Sequence, residues 1–205
     1  MRYLVSCLLL LFVWATPLQA NTLLVVGDSL SAAYGIPQSE GWVSLLEQEL
    51  EQRNSRLRVV NASISGETSS GGLSRLPRLL QDYRPDLVLL ELGANDGLRG
   101  TPLNIMEQNL RRMIELSQAS DARVLLIGIR LPPNYGPQYT ERFYQIYPQL
   151  AQEYGLPLVP FLLESVATDP RLMQRDGLHP NSDAQPILLQ TVWKQLGPLL
   201  EQEGS

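Results

Sequence analysis

The stretch LVLLELGAND, residues 87–96, joins an apolar run of strand length to a turn that carries Asn95 and Asp96. Its leucines and valine stand on consecutive positions, not alternate ones. That pattern suits a strand buried on both faces of a parallel sheet. Four further runs have the same character, at 23–26, 57–60, 124–129 and 156–161. Segments with helical spacing lie between and after them, at 41–52, around 73–82, and at 104–117, 139–153 and 182–200. Strand and helix alternate five times, which predicts an α/β chain of three layers, α/β/α, around a mostly parallel sheet. A flavodoxin-like strand order, 2-1-3-4-5, is expected. No linker, low-complexity tract or repeat interrupts the pattern, so residues 21–205 read as one domain. Ligands in open parallel sheets bind beyond the carboxyl ends of the strands. The residues that follow each apolar run are therefore the candidates for chemistry.

The composition is that of an ordinary globular protein, with 44% hydrophobic and 18% charged residues. The net charge of −5 and the lack of a basic run argue against nucleic-acid binding, which needs Lys and Arg to neutralise phosphates. The first twenty residues, MRYLVSCLLLLFVWATPLQA, differ from the rest. A basic start at Arg2, an apolar run and a small residue at Ala20 form the layout of a cleaved secretory leader. The run falls short of the about 20 residues that span a bilayer comfortably, although a retained anchor is the alternative. Cys7 is the single cysteine, so the cleaved chain would have no disulfide and no thiol nucleophile. The expected compartment is a bacterial periplasm or the medium.

The strand-end residues each admit two readings. GDSLS (27–31) follows the first run. Ser29 sits there on a strand-to-helix turn, as a nucleophile or as a helix cap. Gly27, having no Cβ, tolerates unusual dihedrals and lets a substrate approach. NASISGETSSGG (61–72) follows the second run and lacks the G-K-[ST] ending of a phosphate loop. Gly66 can point a backbone N–H into a site, or the segment is a plain flexible loop. Asn95 follows the third run and offers a neutral side-chain donor to an oxyanion, or else it belongs to an Asn-Asp-Gly turn. Asp96 reads as structural. RDGLHPN (175–181) holds the only histidine of the chain. Asp176 lies three residues before His179, close enough for one turn to bring its carboxylate to the imidazole and hold the ring tautomer. Pro180 restricts the backbone at His179. Together these residues form a nucleophile, Ser29, a general base, His179, and an orienter, Asp176. The N–H groups of Ser29 and Gly66 and the Asn95 side chain would hold an oxyanion. A lone histidine also argues against a His-rich zinc site, and no metal is expected.

In order and approximate spacing, GDSL (27–30), SGET (65–68), GAND (93–96) and DGLH (176–179) resemble the four blocks of the SGNH, or GDSL, hydrolases. RLPPNYGPQYTERFYQIYPQLA (130–151), PLVPFLLE (157–164) and DGLHPNSDAQP (176–186) are similar to a periplasmic branch of that family. The resemblance implies the three-layer fold and the roles just given for Ser29, Gly66, Asn95, Asp176 and His179. It implies hydrolysis of acyl-CoA thioesters, aryl and simple esters, and lysophospholipids without a cofactor. The partner is then a small acyl ester or thioester, with transient contact to lipid and no obligate protein partner. It also implies that segments 70–76 and 131–135 border the acyl site. Leu73, Leu76, Leu98, Ile129 and Pro132 are candidate substrate contacts, with ordinary packing as the alternative for each. A carbohydrate O-acetyl esterase of the same family, or a domain that binds a ligand without chemistry, are the competing expectations.

Overall fold

The computed structural model describes residues 21–53 and 55–201. The expected leader at 1–20, with Cys7, lies outside the described residues. Five parallel strands form one sheet: β1 (Thr22–Gly27), β2 (Arg58–Asn61), β3 (Leu87–Glu91), β4 (Arg123–Ile127) and β5 (Leu158–Val159). Their order is β2-β1-β3-β4-β5, as expected from the apolar runs. Six α-helices accompany them among the described residues: α1 (Trp42–Gln52), α2 (Ser69–Tyr83), α3 (Ala94–Arg99), α4 (Leu103–Ala119), α5 (Pro137–Tyr154) and α6 (Gln185–Glu201). Among the described residues no helix is long and apolar enough to cross a membrane.

Every residue of β1 and β3 is buried, which explains why their apolar positions are consecutive. Alternation along each strand divides the core between the two faces of the sheet. Leu24, Val26, Val88 and Leu90 pack with residues of α2, α4 and α5, whereas Leu23, Val25, Leu87 and Leu89 pack with α1 and α6. The chain first moves from β1 outward to β2, then crosses back past β1 to β3. Right-handed crossovers put α1 and α2 on opposite faces at this reversal. Gly27 and Glu91, the last residues of β1 and β3, are paired in register. The turns that follow them therefore open into one crevice at the switch point.

Four expectations change in detail. The run at 156–161 yields a strand of only two residues, Leu158–Val159. Pro157 and Pro160 flank it and have no N–H to give to a ladder. The neighbouring strand ends at Ile127, and Gly128 then passes so close to the next segment that a Cβ there would lie 2.4 Å from the Pro160 carbonyl. The glycine-rich segment 61–72 is not loop throughout, since Ser69 to Gly72 form the first turn of α2. Thr68 caps that turn by accepting from the Gly71 N–H at 3.2 Å. Gly72 lets the helix approach β3, where a Cβ would lie 2.3 Å from Leu92 Cδ1. Finally, the Asn-Asp-Gly turn is the short helix α3, entered through Gly93 at φ 125°.

Candidate active site

Ser29 stands in the turn after β1, and His179 reaches it from the loop before α6. Ser29 Oγ lies 2.9 Å from His179 Nε2, and His179 Nδ1 lies 2.7 Å from Asp176 Oδ2. The Asp176 carboxylate, which has no proton to give, accepts from Nδ1–H. That tautomer leaves Nε2 free to accept from the serine hydroxyl. The other carboxylate oxygen, Oδ1, accepts from the backbone N–H groups of Leu178 at 2.9 Å and His179 at 3.0 Å. Three residues of spacing suffice because Gly177 turns the chain at φ 67°. Partial burial works to raise the Asp176 carboxyl, but the His179 N–H, the imidazole and the Leu178 N–H together hold it down at about 2. It is thus a carboxylate across the working range, as an orienting group must be.

The loop carrying the histidine is itself pinned. The Gln174 N–H donates to the His179 carbonyl at 2.7 Å, and the Asn181 N–H donates to the Leu172 carbonyl at 2.8 Å. The Gln174 side chain donates to the carbonyls of Tyr34 and Pro180, tying this loop to the one after Ser29. The Tyr34 ring lies 4.5 Å from the imidazole, centroid to centroid, and limits its rotation. Sequence reasoning missed Tyr34, because nothing in its neighbours signals a ring contact 145 residues away.

Two carboxyl groups lie beneath the nucleophile turn. Asp28 is fully buried; its Oδ1 accepts from the Leu30 N–H at 3.0 Å and its Oδ2 from Asn95 Nδ2 at 3.2 Å. Glu91 is also fully buried, and its Oε2 accepts from Ser31 Oγ at 2.7 Å and the Asp28 N–H at 3.3 Å. Burial first, and then the Asp28 charge, pushes the Glu91 carboxyl well above the usual carboxylate range. Burial likewise pushes Asp28 up to about 6, against the opposing pull of the Leu30 N–H, the His179 charge and the Asn95 amide. Gly27 makes room for this pair: a Cβ there would lie 2.7 Å from Glu91 Oε2 and 2.9 Å from Ser31 Oγ. The expectation that Gly27 serves an unusual dihedral or a substrate is corrected accordingly.

Gly66 and Asn95 are brought together by Arg99. Gly66 has φ 79°, so glycine is required there by the backbone and not by crowding. Arg99 Nη2 donates to the Gly66 carbonyl at 3.1 Å and lies 3.5 Å from Asn95 Oδ1, linking the two. Asp96 is structural: its carboxylate accepts from the Ser69 N–H and hydroxyl, both at 2.7 Å, and so ties α3 to the start of α2. Arg99 was also missed, although its spacing of four from Asn95 would have signalled a shared face had this segment been read as a helix.

A cavity of about 410 Å³ opens beside Ser29, Asn95 and His179. Leu98, Ile129 and Pro132 line it, as does Leu131 from the segment 131–135, together with Phe161 and Met173, which sequence reasoning did not separate from ordinary packing. Leu73 and Leu76 do not line it. Leu76 is fully buried, and Leu73 packs against the same core. The reason is the face of α2 they occupy, which packs into the core shared with β3 and α4. The arrangement combines an oriented hydroxyl nucleophile, a base that can take its proton, and polar donors beside an apolar chamber. Such a set can carry an acyl group through a covalent intermediate.

The model of the GDSL-like lipase/acylhydrolase family matches residues 25–185. Esterase TesA of Pseudomonas aeruginosa is 54% identical over 181 residues, covering 88% of this chain and 90% of that protein. Thioesterase 1/protease 1/lysophospholipase L1 of Escherichia coli K12 is 50% identical over 185 residues, covering 90% of this chain and 88% of that protein. The crystal structure of the psychrotrophic esterase EstA from Pseudoalteromonas, inhibited by monoethylphosphonate, superposes with a TM-score of 0.84 at 45% identity. That superposition covers 88% of this chain and 99% of EstA.

Proposed function

Because the chain belongs to the GDSL-like lipase/acylhydrolase family, we propose that it hydrolyses carboxylic esters and acyl thioesters through an acyl-enzyme on Ser29. The observation that carries this reading is the continuous relay Ser29–His179–Asp176, at 2.9 and 2.7 Å, set at the mouth of an apolar cavity. His179 Nε2 takes the hydroxyl proton as Ser29 Oγ attacks the carbonyl carbon. The carbonyl oxygen gains charge and is met by the N–H groups of Ser29 and Gly66 and by Asn95 Nδ2. His179 then gives the proton to the departing alkoxide or thiolate. Water enters, His179 takes its proton, and the acid leaves from Ser29. Asp176 stabilises the imidazolium in both halves and stays ionised throughout.

The apolar chamber supports an acyl chain as the buried part of the substrate, with Leu98, Ile129 and Pro132 as contacts. Around the strand ends, Tyr34, Ile64, Tyr135 and Leu178 are large apolar side chains with 38–50% of their surface exposed. They suit brief contact with a lipid surface, from which an acyl substrate would enter. Residues 1–20 direct export in this reading, leaving 21–205 as one catalytic domain in the periplasm or the medium.

A substrate panel tests the proposal. Aryl esters, acyl-CoA thioesters and lysophospholipids of graded chain length are compared with acetylated sugars, each below and above its aggregation concentration where it has one. The expected result is turnover of medium-chain esters and thioesters well ahead of acetylated sugars. Faster turnover of acetylated sugars than of every medium-chain substrate would overturn the acyl-chain reading.

A further inference from the structure

We infer that Asp28 and Arg99 position the Asn95 amide as an oxyanion donor by holding it from opposite ends. This rests on the hydrolase reading above and adds two positioning residues to it. A carboxamide can sit in either of two orientations that exchange its oxygen and nitrogen. Here its neighbours fix one. Ionised, the Asp28 carboxylate can only accept, and its Oδ2 lies 3.2 Å from Asn95 Nδ2. The Arg99 guanidinium can only donate, and it lies 3.5 Å from Asn95 Oδ1, at the outer limit of a hydrogen bond. Rotating the amide by half a turn would set NH₂ against a guanidinium and a carbonyl against a carboxylate. The occupied orientation uses one Nδ2–H on Asp28 and leaves the other for the cavity, which Asn95 lines.

Both clamps are themselves fixed. Asp28 is fully buried, and its second oxygen accepts from the Leu30 N–H. Arg99 rides on α3 four residues beyond Asn95 and also donates to the Gly66 carbonyl at 3.1 Å. One guanidinium thus joins the carbonyl of Gly66, whose N–H is one proposed oxyanion donor, to the side chain of Asn95, another. Among the described residues Arg99 has no carboxylate partner, so its charge is not cancelled locally. A cation on the amide oxygen also polarises the amide and makes its N–H groups better donors.

Double-mutant cycles test the inference, with hydrolysis of p-nitrophenyl acetate as the readout. Asp28→Asn and Arg99→Ala are each made alone and combined with Asn95→Ala. In Asp28→Asn a single side-chain oxygen cannot serve both the Leu30 N–H and Asn95, so the amide loses its anchor. A single misdirected donor should lower kcat by about 10–100-fold, less than outright removal of the donor, with KM within about twofold. Arg99→Ala should lower kcat by about 3–10-fold, and Arg99→Lys should recover part of that loss by restoring the cation. If the residues act through Asn95, the effect of Asp28→Asn shrinks to under about twofold in the Asn95→Ala background, and that of Arg99→Ala shrinks too. A merely structural role predicts the same factor in both backgrounds. That result, or wild-type kcat in both single variants, overturns the inference. Should Asp28→Asn fail to fold, the Arg99 cycle decides alone, because Arg99 is exposed and its loss opens no core. Additivity in an active protein overturns only the positioning roles, whereas an inactive wild-type protein overturns the hydrolase reading beneath them.

Discussion

Ser29→Ala is expected to lower kcat on a p-nitrophenyl ester by about 10⁴–10⁶-fold while the fold stays intact. The size follows from the chemistry. Without the hydroxyl there is no acyl-enzyme, and His179 can only assist a direct attack by water held in no particular place. What remains is the stabilisation of the oxyanion and the binding of the substrate, worth about 10³–10⁴-fold over water. Ser29 is half-buried at the cavity mouth, and its Oγ bonds to His179. Its loss therefore removes little stability, and thermal unfolding should match the wild type. His179→Ala should fall by a similar factor, and combining the two should add almost nothing, since they act as one unit. Wild-type turnover in Ser29→Ala would remove the nucleophile assignment.

Asn95→Ala is expected to lower kcat by about 10²–10³-fold, or ~2.7–4 kcal/mol of transition-state stabilisation, with KM changed far less. The ground-state carbonyl oxygen carries little charge and rests outside the optimum of the donor. The contact strengthens as charge develops, so its loss appears in kcat. Asn95→Ala also frees Asp28 Oδ2 of its partner inside the protein. The result is a buried carboxylate with one bond fewer, and its ionisation becomes less favourable. Burial already raises Asp28 to about 6. A group raised on folding contributes stability below its unfolded pKa and loses it as pH rises through the folded one. Stability tied to Asp28 therefore declines as pH climbs from the usual aspartate range to about 6 and levels off above it, and in Asn95→Ala the decline should extend to higher pH. Urea unfolding at pH 5 and pH 8 reads this directly, and an equal response in the two proteins would argue against an ionised Asp28 bound to Asn95.

Much of the fold was legible because burial on both faces leaves a plain mark. In β1 and β3 the apolar residues are consecutive, and no amphipathic surface strand would be. The one polar residue in β3, Glu91, carried no such mark. A glutamate in an apolar run gives no hint that a glycine on the neighbouring strand makes room for it. The proposed catalytic residues were legible because each follows an apolar run, where parallel sheets expose chain ends to ligands. Asp28 was overlooked beside Ser29, since its partners are the side chain of Asn95, 67 positions away, and the buried Glu91. The acyl contacts were legible only in part. Leu98 and Ile129 line the cavity while Leu76 lies in the core, and all three are aliphatic residues in similar company. What separates them is position: Leu98 and Ile129 lie just past the ends of β3 and β4, at the cavity, whereas Leu76 lies on the core-facing side of α2.

The acyl-enzyme on Ser29 is most directly tested by reacting the protein with a fluorophosphonate and locating the adduct by mass spectrometry. The expected result is one adduct, on Ser29, formed rapidly in the wild type and at least about 100-fold more slowly in His179→Ala, where the general base is missing. An adduct on another residue, equal labelling of His179→Ala, or no adduct on the folded wild-type protein would contradict a serine nucleophile served by this histidine.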